Sequence, residues 1–198
     1  MMPPFAKWLA DAGDRIVVQY DSRDLITRDH TGGAVFSACG RYRYVLFRRW
    51  ASSERAVFVM LNPSTADERE NDPTVKRCIE YARAWGYGGL IVLNLFALRS
   101  TDPRALLGDE DPEGPMNDSA LTAVFRSLNP RSHLVVCAWG VRGGYRSRSQ
   151  FVLGLMDACD VVPRCLRITK DGFPEHPLYL PGVLTPSPYP GAEADDGG

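Results

Sequence analysis

The sequence predicts an α/β fold, a three-layer α/β/α sandwich with a mostly parallel central sheet. Three observations predict it. Continuous apolar runs such as "GLIVLNLFAL" and "HLVVCAWG" read as strands buried on both faces, as parallel strands usually are. Amphipathic segments that begin with capping residues alternate with these runs, and strands separated by helices imply parallel pairing with helices on both sheet faces. The chain has 198 residues, 44% of them apolar and 24% charged, which suits one soluble domain with a substantial core.

The elements follow in order. "FAKWLADAG" is a short amphipathic helix stopped by Gly13. "AVFSACGRYRYVLFRRWASSERAVFVML" holds two or three strands, with "ASSE" as the turn before the last of them. That last strand ends at Asn62-Pro63-Ser64-Thr65. "DPTVKRCIEYARAWG" starts a helix with Asp72 as N-cap and Pro73 in the first turn. Val75, Cys78, Ile79, Ala82 and Trp85 lie on one face of it, and Gly86 ends it. The strand "GLIVLNLFAL" comes next, then a second Asp-Pro start at Asp102. The helix "NDSALTAVFRSL", with Asp118 read as its cap, precedes the strand "HLVVCAWG". "SRSQFVLGLMDAC" is a helix and "PRCLRIT" a last short strand. From Thr185, "TPSPYPGAEADDGG" is rich in Pro, Gly and Asp. A single domain is therefore expected over residues 1–182, with a disordered tail over 183–198.

Composition excludes several classes. The formal net charge is −1, so nucleic-acid contact would have to come from a local patch. The five cysteines, Cys39, Cys78, Cys137, Cys159 and Cys165, are odd in number and form no CxxC. That argues against a disulfide framework, a zinc ribbon or an iron–sulfur site, and for a reduced, cytoplasmic setting. The three histidines, His30, His133 and His176, have no metal spacing with them, so neither metal nor other cofactor is expected. No apolar run reaches the ~18–20 residues of a membrane span. The first residues are too short and polar a stretch for a secretory signal. Oligomeric state is not legible.

Ligands of parallel sheets bind beyond the carboxyl ends of the strands. Four strand ends carry special residues: Asn62-Pro63-Ser64, Asn94, Trp139-Gly140 and His176-Pro177. An amide is no base near neutral pH, so Asn62 would position a water or a carbonyl; alternatively, the turn merely bonds local backbone. Asn94 interrupts a buried run, where an amide without partners costs about 1–3 kcal/mol, so backbone or a ligand must satisfy it. His176 precedes a proline, which restricts its backbone. Asp72, Asp102 and Asp118 read as helix caps, and Asp67 and Glu68 as acids near the first loop. "GVRGGYRSRS" places Arg142, Arg146 and Arg148 beside a double glycine before a helix, a phosphate-binding loop or a solvated one.

The stretches "LNPSTAD", "NDPT", "RCIEYARAWGYGGLIVLNLFALRSTDP", "AWG" and "HPLYL" together resemble the DUF1643 family of bacterial and phage proteins, from about Tyr42 to Leu180. More distantly, the motif order is similar to that of the uracil-DNA glycosylase superfamily. That resemblance implies a uracil-DNA-glycosylase-like fold and hydrolysis of a base–sugar bond in DNA, without a cofactor. Asn62-Pro63 resembles the water-holding loop, and His176-Pro177 the loop whose His stabilises the departing base. Asn94 resembles the Asn that reads the extruded base, with Ser64, Phe96 and Trp139 around that base. Leu178, Tyr179 or Leu180 would wedge into DNA, and Arg142, Arg146 and Arg148 would hold its phosphates. Two features depart from the superfamily: no carboxylate occupies the water-activating position, and "HPLYL" lacks the Ser after His-Pro. An enzyme of free modified nucleotides or nucleosides and a non-catalytic nucleic-acid or nucleotide sensor are the alternatives.

Overall fold

The computed structural model describes residues 5–20, 31–64, 70–129, 132–182 and 184–190. Its strands are β1 (Ile16–Tyr20), β2 (Thr31–Ser37), β3 (Arg43–Arg49), β4 (Arg55–Met60), β5 (Gly89–Asn94), β6 (Leu134–Cys137), β7 (Pro163–Cys165) and β8 (Ser187–Pro188). Its α-helices are α1 (Ala6–Ala12), α2 (Pro73–Ala84), α3 (Asn117–Arg126) and α4 (Arg148–Asp157). All eight strands join one sheet in the order β1-β2-β3-β5-β4-β6-β7-β8. The protein is therefore mixed α/β.

The sheet is not mostly parallel. β4 pairs in parallel with β5 and β6, and β6 with β7. The pairings β1–β2, β2–β3, β3–β5 and β7–β8 are antiparallel. The reason lies in the connections. A parallel pair needs a crossover of a dozen or more residues, whereas an antiparallel pair needs only a turn. Among the described residues, helices separate the strands only after Asn62, and β4 to β7 are the strands that pair in parallel. Ahead of them, β2 and β3 are joined by a tight turn in which Gly40 takes φ 73° and donates its N–H to Ser37 O at 2.9 Å.

The strict alternation of a strand divides the core in two. Val57, Val59, Ile91, Leu93 and Val135 point to one face, against Phe5 and Trp8 beside and in α1, Leu121 and Val124 of α3, and Val152 and Met156 of α4. Ala56, Phe58, Met60, Leu90 and Val92 point to the other, against Val75, Cys78, Tyr81 and Ala82 of α2. Because both faces are covered, β4 and β5 read as unbroken apolar runs.

The caps show where composition is a sufficient guide. Asp72 Oδ1 accepts from Val75 N at 2.7 Å, and Asp102 Oδ1 from Arg104 N at 2.9 Å. Asp118 is not a cap: Met116 occupies that position in α3, and the Asp118 carboxylate pairs with Arg148. The domain boundary expected at residue 182 also needs correction. Ser187–Pro188 forms β8 against Arg164–Cys165, and Tyr189 is buried in the core, its hydroxyl donating to Gly172 O at 3.0 Å. One aromatic side chain anchors a segment whose composition reads as disordered. Residues 191–198 lie outside the described ones. Among the described residues, no helix is long and apolar enough to cross a membrane.

Candidate functional site

Past β4 the chain turns to the sheet face that carries α2; past β5 and β6 it turns to the face that carries α3 and α4. Loops that diverge in this way open a crevice at the carboxyl ends of the strands. A cavity of about 230 Å³ lies there. Asn62, Ser64, Asn94, Trp139, His176, Leu178 and Tyr179 all line it, so seven of the eleven expected site residues converge.

Asn62 is half committed to structure. Its Nδ2 donates to Ser100 O at 2.9 Å and to Pro63 O at 3.2 Å, while Ser100 N donates back to Pro63 O at 2.9 Å. This lacing ties the loop after β4 to the segment after β5. The acceptor Oδ1 is the part of the amide left for a water. Ser64 Oγ donates to Asp72 Oδ2, the other oxygen of the carboxylate that caps α2. Asp67 and Glu68 lie outside the described residues.

Asn94 ends β5 with 1% of its surface exposed. Neither its Oδ1 nor its Nδ2 has a hydrogen-bond partner among the described residues. Buried amides are nearly always paired, since an orphaned group costs about 1–3 kcal/mol. This one is orphaned where it meets a cavity. Trp139, at the end of β6, has its indole Nε1 equally buried and unpartnered. Its position depends on Gly143: a Cβ there would stand 2.1 Å from Trp139 Cδ1. Tyr189 packs edge-on against the indole at 5.9 Å.

His176 Nδ1 accepts the Leu178 N–H at 3.4 Å, which leaves Nε2 as the proton-bearing nitrogen of the neutral ring. Burial pushes the imidazole below its ordinary 6.5, and the Asp72 carboxylate only partly opposes that shift. The ring is therefore a neutral donor at pH 7. Tyr179 lies tilted over it at 5.6 Å and is 79% exposed at the cavity mouth. Leu178 is exposed beside it.

The other four expected residues lie elsewhere. Phe96 is fully buried on the α3 and α4 face, 5.8 Å from the Tyr145 ring, and does not line the cavity. Arg148 is buried; its Nε donates to Leu95 O at 2.7 Å and its guanidinium pairs with Asp118. Arg146 pairs with Glu113 at 3.3 Å and donates to the carbonyls of Asp109 and Glu110. Arg142 is exposed but lines no part of the cavity. Arg146 and Arg148 thus pin a loop to the body of the protein, and the three arginines do not gather at the cavity. A buried guanidinium needs acceptors, and the nearest carbonyls and carboxylates supply them.

The sequence reading missed Arg43 and Asp72 as cavity residues, and with them Ser100 and Thr101. Arg43 is only 2% exposed. A charged residue at the start of a strand otherwise rich in aromatics was the available signal. Asp72 was recognised as a cap, and only the fold shows that the cap faces the cavity. Among the described residues, no group of three His, Cys, Asp or Glu side chains is placed to hold a metal.

With that geometry in place, the comparisons add a family. The family described as "Protein of unknown function (DUF1643)" matches residues 43–178. No curated protein matches, and no solved structure does. The chain belongs to the DUF1643 family.

Proposed function

We propose that this DUF1643 protein is a nucleobase N-glycosylase, which takes an extruded damaged or modified base of DNA into the cavity and hydrolyses its bond to the sugar. On this reading the helices on both sheet faces form a three-layer fold of the uracil-DNA-glycosylase type. The observation that carries the proposal is Asn94: a buried amide whose donor and acceptor both lack partners, in a cavity shared with a neutral histidine and a tryptophan. A donor–acceptor edge is what a nucleobase presents.

Cleavage of the base–sugar bond leaves positive charge on the sugar and negative charge on the base. His176 Nε2–H would donate to the departing base, and a preorganised donor of this kind is worth ~3–4 kcal/mol. Asn62 Oδ1 would hold the water that adds to the sugar carbon, and the proton this water loses would pass to the departed base anion, which leaves as the neutral free base. Asp72 supplies a carboxylate at the cavity wall, where it favours the sugar cation. The hydroxyl of Ser64, held by Asp72, and the Trp139 indole flank the base. Leu178 and Tyr179, exposed at the mouth, occupy the place left by the extruded nucleotide.

The net charge of −1 favours a second reading, an enzyme of free modified nucleotides using the same cavity. One experiment addresses both. The protein is incubated with oligonucleotides and with nucleosides carrying a panel of modified bases, and free base is read by mass spectrometry. Release from oligonucleotides supports the first reading, and release from nucleosides alone the second. Neither release nor binding across the panel would overturn both.

A further inference from the structure

A second, shallower depression opens beside the cavity. It is lined by Gly40, Arg41, Ser64, Arg99, Ser100 and Thr101 and encloses about 500 Å³. Three of these residues, Ser64, Ser100 and Thr101, also line the cavity, so the two spaces adjoin. Its lining holds two arginines and three hydroxyl residues and, among the described residues, no Asp or Glu. The turn before β3 and the segment after β5 are coupled here: Arg99 N donates to Arg41 O at 3.1 Å, and Arg99 Nη1 to Gly40 O at 3.0 Å. The Arg99 guanidinium lies over the Phe36 ring at 4.9 Å, so its plane is held while its outer donors face solvent. Arg41 is 53% exposed and pairs with Asp109. A surface pair of this kind contributes only about 0–1 kcal/mol, and a guanidinium has five donors, so an incoming anion can share or displace the carboxylate.

We propose that this depression is the phosphate subsite of the site, in which Arg41 and Arg99 hold the phosphate of the nucleotide whose base enters the cavity. The assignment rests on the base-binding reading given above. A base seated against Asn94 must leave its sugar and phosphate at the mouth. The depression is a polar surface bearing two arginines that adjoins the cavity. The Thr101 hydroxyl offers a further donor to phosphate oxygens, while the Ser100 hydroxyl donates to Asp102 O at 2.9 Å and holds the wall. The phosphate can belong to a DNA strand or to a free nucleotide.

The test is the salt dependence of binding. Fluorescein-labelled single-stranded DNA of mixed sequence is titrated with the full chain by anisotropy over about 50–200 mM salt. Replacing Arg41 and Arg99 together by Gln should flatten the plot of log affinity against log salt by about 1.4, two contacts at about 0.7 each. Lys at both positions should restore the slope, which separates lost charge from lost fold. Arg83→Gln, at the C-terminal end of α2 and so at the far end of the helix that Asp72 begins, should leave it unchanged. Competition by a mixture of nucleoside 5′-monophosphates, lost in the same double variant, assigns the subsite to free nucleotides; its absence assigns the subsite to the polymer. A slope unaltered by the double replacement, or lowered equally by Arg83→Gln, overturns the subsite. The base reading is judged separately by the base-release panel, so either can fail while the other stands.

Discussion

Two buried asparagines meet at the carboxyl end of β5, and they differ in where their amides go. Asn117, in the first turn of α3, directs its Nδ2 at the carbonyls of Asn94 and Leu95, at 3.1 and 3.0 Å. It closes the end of the strand from the α3 side. Asn94 supplies one of those carbonyls with its backbone, while its own side chain lines the cavity with neither polar atom bonded among the described residues. Both residues are essentially without exposed surface. Burial alone therefore does not separate an amide bonded to backbone from one without a partner among the described residues. The donors differ: Asn117 Nδ2 is bonded while its Oδ1 is not, and Asn94 has neither atom bonded among the described residues.

The comparison can be broken or sharpened experimentally. The largest effect is expected at His176, on the Asn94 side. His176→Ala should lower base release about 10²–10³-fold, the usual loss for one preorganised donor. The melting temperature should barely move, since the ring makes one weak bond to backbone. Comparable rates in the variant and the parent would remove His176 from the chemistry.

The two amides should then respond with opposite signs. Asn117→Leu removes the side-chain donor to the buried Asn94 carbonyl, while Leu95 O keeps Arg148 Nε at 2.7 Å, and should cost about 1–3 kcal/mol of stability, or roughly 2–12 °C in melting temperature. Asn94→Leu, nearly the same in shape, removes an amide that is unpaired in the free protein. It should leave stability unchanged or raise it, and still abolish base binding. Parallel denaturant and binding curves would show it. If Asn94→Leu destabilises as much as Asn117→Leu, Asn94 has an internal partner and no role in reading a base.

Gly143→Ala probes the indole shared by core and cavity. The added methyl must displace Trp139 or its backbone, an overpacking that costs about 1–3 kcal/mol. Tryptophan fluorescence and the melting temperature should change together, and binding should weaken. Unchanged fluorescence would mean that the indole is not held by this contact.

The smallest effect concerns pH. Burial depresses the His176 pKa below 6.5, so folded and unfolded states bind protons equally above that value. The share of stability linked to neutral His176 is present above 6.5 and is lost as pH falls through the lower folded value. The acid limb of base release should likewise lie below 6.5 and vanish in His176→Gln. An acid limb above 6.5 would mean that the ring titrates as if exposed.

The sequence by itself determined more of the centre than of the edges. The helix over Pro73–Ala84, with its Asp72 cap and its Gly86 stop, was legible because capping chemistry is local. The unbroken runs of β4 and β5 were legible because burial on both faces removes the polar alternation. Strand-end residues such as Asn62, Asn94, Trp139 and His176 could be marked because each interrupts or ends such a run. Tertiary structure decided the rest. The insertion of β5 between β3 and β4, which makes the sheet mixed, depends on pairing between distant segments. Tyr189 drew an apparently featureless tail into the core, where it reaches Trp139. The fates of the arginines were decided in the same way. Arg146 and Arg148 were taken by carbonyls and carboxylates that only the fold brings near, while Arg43 was buried in the cavity wall. The physical reason is one of range: caps, turns and periodicity are settled within a few residues, but a charged side chain is settled by whatever partner the folded chain places within hydrogen-bonding distance.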